Sequence, residues 1–485
     1  MAGILFWLLS PTRAHAQSEV DAVRLGAISS GVGARAMSMG SAFTAVSDDY
    51  SALFFNPAGL GQIKRSELQV GFDFNSYTSD AAYLGAAKSG DNTVTALNSV
   101  GLVLPVPTYQ GSFVVAFGYN RLNNFAAAQN VSAFNPAGSI SDYFLGFTPQ
   151  LNNDGDLLLT DPGSLAFDTY LQDLNQAGDA YINSQIDRGN VRQLSELMEE
   201  GGMDAFSAAA SIEIAPQVFA GLTLNFYSCN YTYSRIYREL DENNEYPVFS
   251  QLSLQDDITT DISGWGLKLG VLYRMDENFR FGLTVEIPKF LKLKDTYATT
   301  LQAFYDQPPA GATKTSYQSS LDGSFEYDLR TPFLFSFGFS YENELLILSA
   351  EGGFTDWTQL KFDADANQLD DVNRTIKSEL TQALKGAVGV ELHVPGTGLK
   401  LRGGYAVEQS PFKYKLKNPT QKTNFDDAKK SLTVGIGIIL RNTVSIDAAY
   451  TLTSVTVENR LYGGSDIVKE DLSISNILLT ASFRL

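Results

Sequence analysis

Residues 265–287 read WGLKLGVLYRMDENFRFGLTVEI, in which apolar side chains alternate with small or polar ones on both sides of a turn. Successive side chains of a β-strand point to opposite faces, so a period of two predicts one apolar face and one wetter face. Asp276-Glu277-Asn278 supplies the turn residues. The segment therefore predicts two antiparallel strands joined by a short link.

The same alternation recurs from Leu68 to Leu485, divided by turn residues into about fourteen runs. A mean hydropathy of -0.08 suggests a soluble protein, but only every second residue of a membrane strand faces lipid. In lipid every backbone N–H and C=O must find a partner, which strands achieve only in a closed ring. The sequence thus predicts an all-β fold, a fourteen-stranded antiparallel transmembrane β-barrel.

Short and long links alternate between the predicted strands. Residues 276–278 form a short link, residues 79–92 a long one and residues 124–204 the longest. Outer-membrane barrels have short periplasmic turns and long extracellular loops, so we expect residues 124–204 outside the cell. Their apolar periodicity predicts one helix over residues 165–181 and a second from Val191 that stops at Gly201-Gly202.

Two N-terminal regions precede the predicted barrel of residues 66–485. Residues 1–16 are predicted to be a cleaved signal peptide, because a short apolar core is followed by the cleavage pattern Ala14-His15-Ala16. The basic residues that usually precede such a core are missing. Residues 17–65 are rich in small side chains and are predicted to form a plug with short helices inside the barrel lumen. The alternative is a periplasmic extension.

Composition excludes several classes of function. The formal net charge of -19 argues against a nucleic-acid partner, whose phosphates need a basic surface. The single cysteine, Cys229, rules out an intrachain disulfide and offers no thiolate cluster for a metal. A catalytic triad, a phosphate-binding loop and a histidine cluster are all missing, and we interpret His393 as structural. The sequence therefore predicts no enzyme, no cofactor and no metal site.

The N-terminal region contains a short helix with a sharp end. Asn56, Pro57 and Ala58 follow the helical residues, and proline disfavours helical geometry in the residue before it. This motif, together with the small-residue run of residues 31–60, resembles the plug of the FadL/TodX family of outer-membrane transporters. The hairpin at residues 264–278 is similar to that family's middle hairpin. The resemblance covers nearly the whole mature chain.

The resemblance implies a monomeric protein of the outer membrane of a Gram-negative bacterium, surrounded by lipid. It implies that hydrophobic small molecules, either long-chain fatty acids or aromatic hydrocarbons, diffuse through the barrel. It further implies a rearranging plug and a lateral opening made by an inward kink in the third strand. The alternative is a non-transporting barrel of the same fold that docks secreted proteins in a secretion apparatus.

The predicted fifth strand, residues 218–240, carries the best candidates for ligand binding. Its even positions up to Phe226 read as lipid-facing, so the odd positions point into the lumen. Tyr231 and Tyr233 would pack against an apolar ligand, and Arg235 would pair with a carboxylate. Arg238 and Lys413 are weaker candidates for the same headgroup. The alternative is a structural wall in which Arg235 pairs with a loop carboxylate.

The predicted third strand, residues 112–123, is the candidate lateral gate. Its lipid-facing register would place Arg121 against lipid, which is costly in the middle of a bilayer. One solution is a strand that ends at the outer interface near Arg121. The other is an inward bend between Gly118 and Asn120, because glycine permits a kink. We favour the bend, chiefly on the family resemblance.

Overall fold

The computed structural model describes residues 18–27, 31–187, 189–364, 369–415 and 428–485. The predicted signal peptide, residues 1–16, lies outside these ranges. No helix among the described residues is long and apolar enough to cross a membrane. Most of the described chain is strand, as its period-two pattern predicts.

Eighteen strands form one continuous sheet, and two short strands form a separate hairpin. The large sheet contains β1 (Glu67–Tyr83), β2 (Ala86–Val106), β3 (Phe113–Asn124), β4 (Ala127–Asn135), β7 (Val191–Ala215), β8 (Val218–Leu240), β9 (Phe249–Arg274), β10 (Phe279–Glu286), β11 (Phe290–Tyr305), β12 (Ser316–Arg330), β13 (Leu334–Glu342), β14 (Leu346–Asp356), β15 (Lys361–Asp363), β16 (Gln382–His393), β17 (Leu399–Glu408), β18 (Lys429–Leu440), β19 (Val444–Arg460) and β20 (Ile467–Arg484). The separate hairpin is β5 (Gln172–Leu174) with β6 (Tyr181–Asn183).

The large sheet closes into a barrel, because β1 pairs with β20 from Glu67↔Arg484 to Ala82↔Lys469. At four places two consecutive strands continue one another along the wall: β3 with β4, β10 with β11, β12 with β13, and β14 with β15. Each such pair counts as one barrel strand, so the eighteen strands make fourteen barrel strands. The predicted fourteen-stranded antiparallel barrel is confirmed.

The two ends of the barrel differ in their connections. Links such as residues 216–217 and 343–345 are short and lie at one end, which we call the turn end. The longest connection, between β4 and β7, lies at the other end, which we call the loop end. It contains α4 (Ile140–Phe144) and α5 (Pro162–Asp168) besides the small hairpin.

Two predictions about the loop end are wrong, and a third is right only in part. Residues 79–92 are not a long loop, because β1 and β2 stay paired up to Tyr83↔Ala86 and join through two residues. The second predicted helix, from Val191, is the first part of β7, which pairs with β4 on one edge and β8 on the other. The helix predicted over residues 165–181 is helical only at its start, in α5.

The N-terminal residues lie inside the barrel. They form α1 (Glu19–Gly26), α2 (Ala34–Ser38), α3 (Ala52–Phe55) and a 3-10 helix (Pro57–Gln62). Large side chains among them, including Met39, Phe43 and Tyr50, are fully buried. A last helix, α6 (Asp370–Glu379), packs near α1. These residues therefore occupy part of the lumen.

Candidate functional site

Hydrogen bonds from the N-terminal segment, residues 31–63, reach strands around the barrel. The Ala34 N–H donates to Thr480 Oγ1 of β20 at 2.9 Å, and the Gly40 N–H donates to Thr433 Oγ1 of β18 at 2.9 Å. Glu351 of β14 accepts from two successive backbone N–H groups, those of residues 43 and 44, at 3.1 Å each. These bonds satisfy buried donors that the short helices leave unpaired.

Asn56 fastens the same segment to β9. Its Nδ2 donates to the carbonyls of Thr44 at 2.9 Å and Val271 at 3.1 Å, and its Oδ1 accepts from the Ala58 N–H at 3.1 Å. The backbone of Asn56 is extended, as a residue before proline prefers, and Pro57 begins the 3-10 helix. A Cβ at Gly270 would lie 2.1 Å from Asn56 Oδ1, so β9 can approach only with glycine there.

Buried ion pairs hold the segment near the turn end. Arg35 pairs with Asp48 at 2.5 Å and with Glu391 of β16 at 2.8 Å. Burial alone would raise the pKa of Asp48, but Arg35 and Arg280 outweigh burial and hold that pKa at about 2. Glu391 also accepts from Arg402 at 2.6 Å. Breaking such a buried pair by removing one partner is strongly destabilising, which makes this attachment firm.

The inner face of β8 carries the predicted row of tyrosines. Tyr227, Cys229, Tyr231 and Tyr237 are buried inside the barrel, whereas Phe226 is exposed on the outside. Tyr231 makes an edge contact with Phe125, with ring centroids 5.4 Å apart, and Arg24 of α1 lies over its ring at 5.0 Å. The alternation thus places the predicted tyrosines on the lumen side.

The predicted cationic residues do not come together. Arg235 faces the lumen and donates to Asp256 Oδ2, with Nε at 3.1 Å, and to the carbonyl of Leu461. Arg235 is therefore paired with a carboxylate, as the alternative of a structural wall predicts. The carboxylate is Asp256, which belongs to β9 and not to a loop. Arg238 lies between the inward-facing buried residues 237 and 239 and pairs with Glu196 on the outside, so it does not line the lumen. Lys413 lies beside the Tyr414 ring near the end of α6.

The wall is interrupted between β2 and the third barrel strand. β2 and β3 pair from Val106↔Phe113 to Ser99↔Asn120, and no pairing between these strands follows in the described residues. β4 continues along β7 alone, from Ala127↔Glu199 onward. Residues 86–98 of β2 pair with β1 on one edge and have no ladder partner on the other. We refer to this unpaired edge of β2 as the lateral opening; β4 still reaches it where Asn130 Nδ2 donates to the carbonyl of Ser89.

The bend was predicted too early along the strand. Gly118 pairs with β2 on one edge and with β7 on the other, so the strand is regular there. A Cβ at Gly118 would lie 1.9 Å from the hydroxyl of Tyr50, which donates to Asn120 Oδ1 at 3.0 Å. Gly118 therefore makes room for the N-terminal segment. The irregularity lies at residues 121–126 instead.

The sequence feature that marks the true position of the bend lies on β7, the partner strand of β3. The register between β3 and β7 shifts between Arg121 and Asn123, opposite Asp204 and Met203, and Gly202 follows opposite Asn124. Gly201 beside them has a φ of 118°, a conformation that side chains disfavour. The sequence predicts a helix stop at Gly201-Gly202, whereas the structure places these glycines beside the bulge.

Two lysines on the opposite side of the lumen hold the N-terminal helices. Lys268 Nζ donates to the carbonyl of Phe54 at 2.6 Å, and Lys289 Nζ donates to the carbonyl of Gly26 at 3.1 Å. Glu286 pairs with both, at 3.2 and 3.7 Å. The small cavity beside them is about 10 Å³, which holds about one water.

Comparison with known proteins gives one family match. Residues 201–465, more than half of the chain, match the family described as "Outer membrane protein transport protein (OMPP1/FadL/TodX)". A search of curated proteins found no match.

Solved structures share the fold along nearly the whole chain. A Pseudomonas aeruginosa FadL homologue is 13% identical, with 94% of this chain and 99% of that chain covered and a TM-score of 0.55. The Pseudomonas putida toluene transporter TodX is 14% identical, with 94% and 99% covered and a TM-score of 0.54. The Ralstonia pickettii toluene transporter TbuX is 14% identical, with 94% and 98% covered and a TM-score of 0.52. At these identities the likeness shows a common fold.

Proposed function

Because the chain belongs to the FadL/TodX family of outer membrane transport proteins, we propose that it carries hydrophobic small molecules through the outer membrane by diffusion. The candidate solutes are aromatic hydrocarbons and long-chain fatty acids. Two of the structural relatives are named toluene transporters, and a third match is named a monoaromatic hydrocarbon channel. The observation that carries the proposal is the unpaired edge of β2, because a closed wall would offer an apolar solute no way sideways into lipid.

The proposed path begins at the loop end, which faces outside. Solutes pass the tyrosines of β8, with Tyr231 and Tyr233 as apolar contacts and Arg235 as a residue that shapes the lumen through Asp256. They then reach the opening, where Asn120 and Gly118 lie at the last paired stretch of β3. Residues 17–65 are proposed to act as the plug, held by Asn56, Pro57 and Ala58, and to shift when a solute passes.

A transporter of this kind needs no catalytic group, and we propose that the chain is not an enzyme. The relatives are named transporters and channels, which supports this view. The same comparison does not favour the alternative, a barrel that docks secreted proteins. We further propose that residues 1–16 are removed on export and that one chain suffices, since the opening lies within a single barrel.

Uptake by intact cells tests the proposal. Cells that lack their own transporter of this type would be given labelled toluene, with and without the chain in their outer membrane. The expected result is a higher initial rate of uptake with the chain. Equal rates, with the barrel folded in the membrane, would overturn the proposal.

A further inference from the structure

A buried carboxylate near the lateral opening makes no well-aligned hydrogen bond. The Asp73 side chain is fully buried on the lumen side of β1, and neither of its oxygens has a partner in hydrogen-bond geometry among the described residues. The polar groups that act on it are the Arg121 guanidinium, the Asn98 amide and the Ala96 backbone. Its neighbours in register are Ala96 on β2 and Leu478 on β20, and neither side chain has a donor. Burying a carboxylate without a well-aligned donor is costly, so this position suits a ligand that brings one.

Asp73 lies at the level where the opening begins. Its register partner Ala96 lies just beyond Ser99, the last residue of β2 that pairs with β3. Across the opening, Asn120 of β3 is buried and its Nδ2 has no acceptor. A hydrogen-bond acceptor and a hydrogen-bond donor, both without a well-aligned partner, thus border the opening from two sides. Asn98 lies between Asp73 and Asn120 in the sequence. Its Nδ2 already donates to the carbonyl of Gly31 in the N-terminal segment.

The nearby cations are already neutralised by acidic side chains. Arg121, at the end of the β2–β3 ladder, pairs with Asp204. Elsewhere in the lumen Arg24 pairs with Glu199, Arg235 with Asp256, and Lys268 and Lys289 with Glu286. A solute with a carboxylate would have to displace one of these partners. At Asp73 it would also add a second negative charge at low dielectric, which is repulsive.

We propose that Asp73 makes the lateral opening selective for uncharged hydrophobic molecules, favouring those with a hydroxyl group and rejecting those with a carboxylate. A ligand hydroxyl donates to the Asp73 carboxylate and so satisfies it. This inference rests on the proposed transport function and narrows its solute class. Long-chain alcohols and phenols fit the opening, and ionised fatty acids do not.

Three probes of equal chain length test the inference: dodecane, dodecanol and dodecanoate. Initial uptake by intact cells is measured at about pH 8, where a fatty acid is ionised. The native chain should carry dodecanol at least as fast as dodecane, and dodecanoate at least about tenfold more slowly, which corresponds to about 1.4 kcal/mol. Asp73→Asn should raise the dodecanoate rate by about tenfold and leave the dodecanol rate within about twofold.

Two further variants separate charge from hydrogen bonding. Asp73→Leu removes the acceptor, so dodecanol should lose its advantage over dodecane. Asp80→Asn removes the same charge from an exposed position on β1 and should change no rate. The fold of each variant is checked by its heat-dependent migration in gels.

Dodecanoate uptake as fast as dodecanol uptake by the native chain would overturn the inference while the transport function stands. An Asp73→Asn variant that carries dodecanoate no faster than the native chain would also overturn it. If the native chain carries toluene but none of the three probes, the inference fails and the transport function stands; if it carries neither toluene nor any probe, both fail.

Discussion

The barrel wall is interrupted in two regions, and only one of them is open. On one side, β10 gives way to β11 at residues 287–289, and the neighbouring β12 gives way to β13 at residues 331–333. On the other side, β3 gives way to β4 at residues 125–126, while β2 beside it runs on without a break. The first region keeps hydrogen bonds across the break, whereas in the second β2 has no ladder with β4.

The two regions differ in whether hydrogen bonds bridge the break. Pro288 and Pro332 lie at the centres of the two closed breaks, and proline cannot donate to a ladder. Both strands are therefore interrupted at the same level, and the Thr331 N–H donates to the carbonyl of Lys289 between them. The third barrel strand bends alone, so β2 loses its partner. β9, which flanks the closed break on its other side, is itself unbroken, but its Leu267 carbonyl still accepts from the Ile287 N–H. The wall therefore stays closed where hydrogen bonds bridge the break.

The largest expected effect is a rise in ion conductance when the N-terminal segment, which lies in the lumen beside both interruptions, is removed. Deleting residues 17–61 should leave a barrel that still inserts, because the wall hydrogen bonds close without them. Ion conductance in planar bilayers should rise by orders of magnitude. Deleting residues 148–157, which lie mostly exposed in the long loop, is the matched control and should leave conductance unchanged. Equal conductance of both deletions would mean that another part of the chain closes the lumen.

Lys289 should stabilise the fold at the interruption that β10–β11 and β12–β13 share. Lys289→Met leaves buried Glu286 with one partner instead of two and frees the carbonyl of Gly26. The free energy of unfolding in urea should fall by about 3 kcal/mol. Lys294→Met, which breaks an exposed pair between β11 and Glu326 of β12, should cost at most about 1 kcal/mol. Similar losses in both variants would contradict the role given to the buried pair.

A side chain at position 118 should destabilise the protein because it meets Tyr50, and not because it straightens a bend in the strand. Gly118→Val forces a side chain onto the Tyr50 hydroxyl and should cost about 1–3 kcal/mol of overpacking. Gly386→Val, where a Cβ meets nothing within 4 Å, is the control and should be neutral or stabilising. Adding Tyr50→Leu to the Gly118→Val variant should recover part of the loss. Without such recovery, measured by urea unfolding, the glycine would act through the strand itself.

The smallest effect is expected where β4 still touches β2. Asn130 Nδ2 donates to the carbonyl of Ser89 at 3.1 Å across the end of the opening, in an exposed position. Asn130→Ala should cost at most about 1 kcal/mol and change toluene uptake by less than about twofold. A loss of several kcal/mol in urea unfolding would mean that this contact, and not β7, holds β4 in place.

Much of the fold follows from period-two alternation. The pattern predicted the fourteen barrel strands and the inward row from Tyr227 to Tyr237 on β8, because lipid on one side enforces the alternation. Beyond the lipid both faces are wet and the pattern fades. For that reason residues 79–92 read as a loop although they are paired strand.

The site was harder to predict than the fold. Val191, Leu194 and Leu197 have helical spacing, and only their pairing with two neighbouring strands makes them part of β7. The place of the bend depends on cross-strand register, which one strand's sequence does not contain. The partner of Arg235 was also uncertain, since Asp256 lies on another strand and comes beside it only in the folded barrel.

A tryptophan placed in the opening tests the central claim, that solutes leave between β2 and the third barrel strand. Ala96 lies on the lumen side of the unpaired stretch of β2, and Leu97 beside it points to the outside. Initial toluene uptake would be measured for Ala96→Trp and Leu97→Trp in cells with equal amounts of folded barrel. The expected result is at least about tenfold slower uptake for Ala96→Trp, equivalent to about 1.4 kcal/mol, and native uptake for Leu97→Trp. Native uptake by Ala96→Trp would contradict the lateral route.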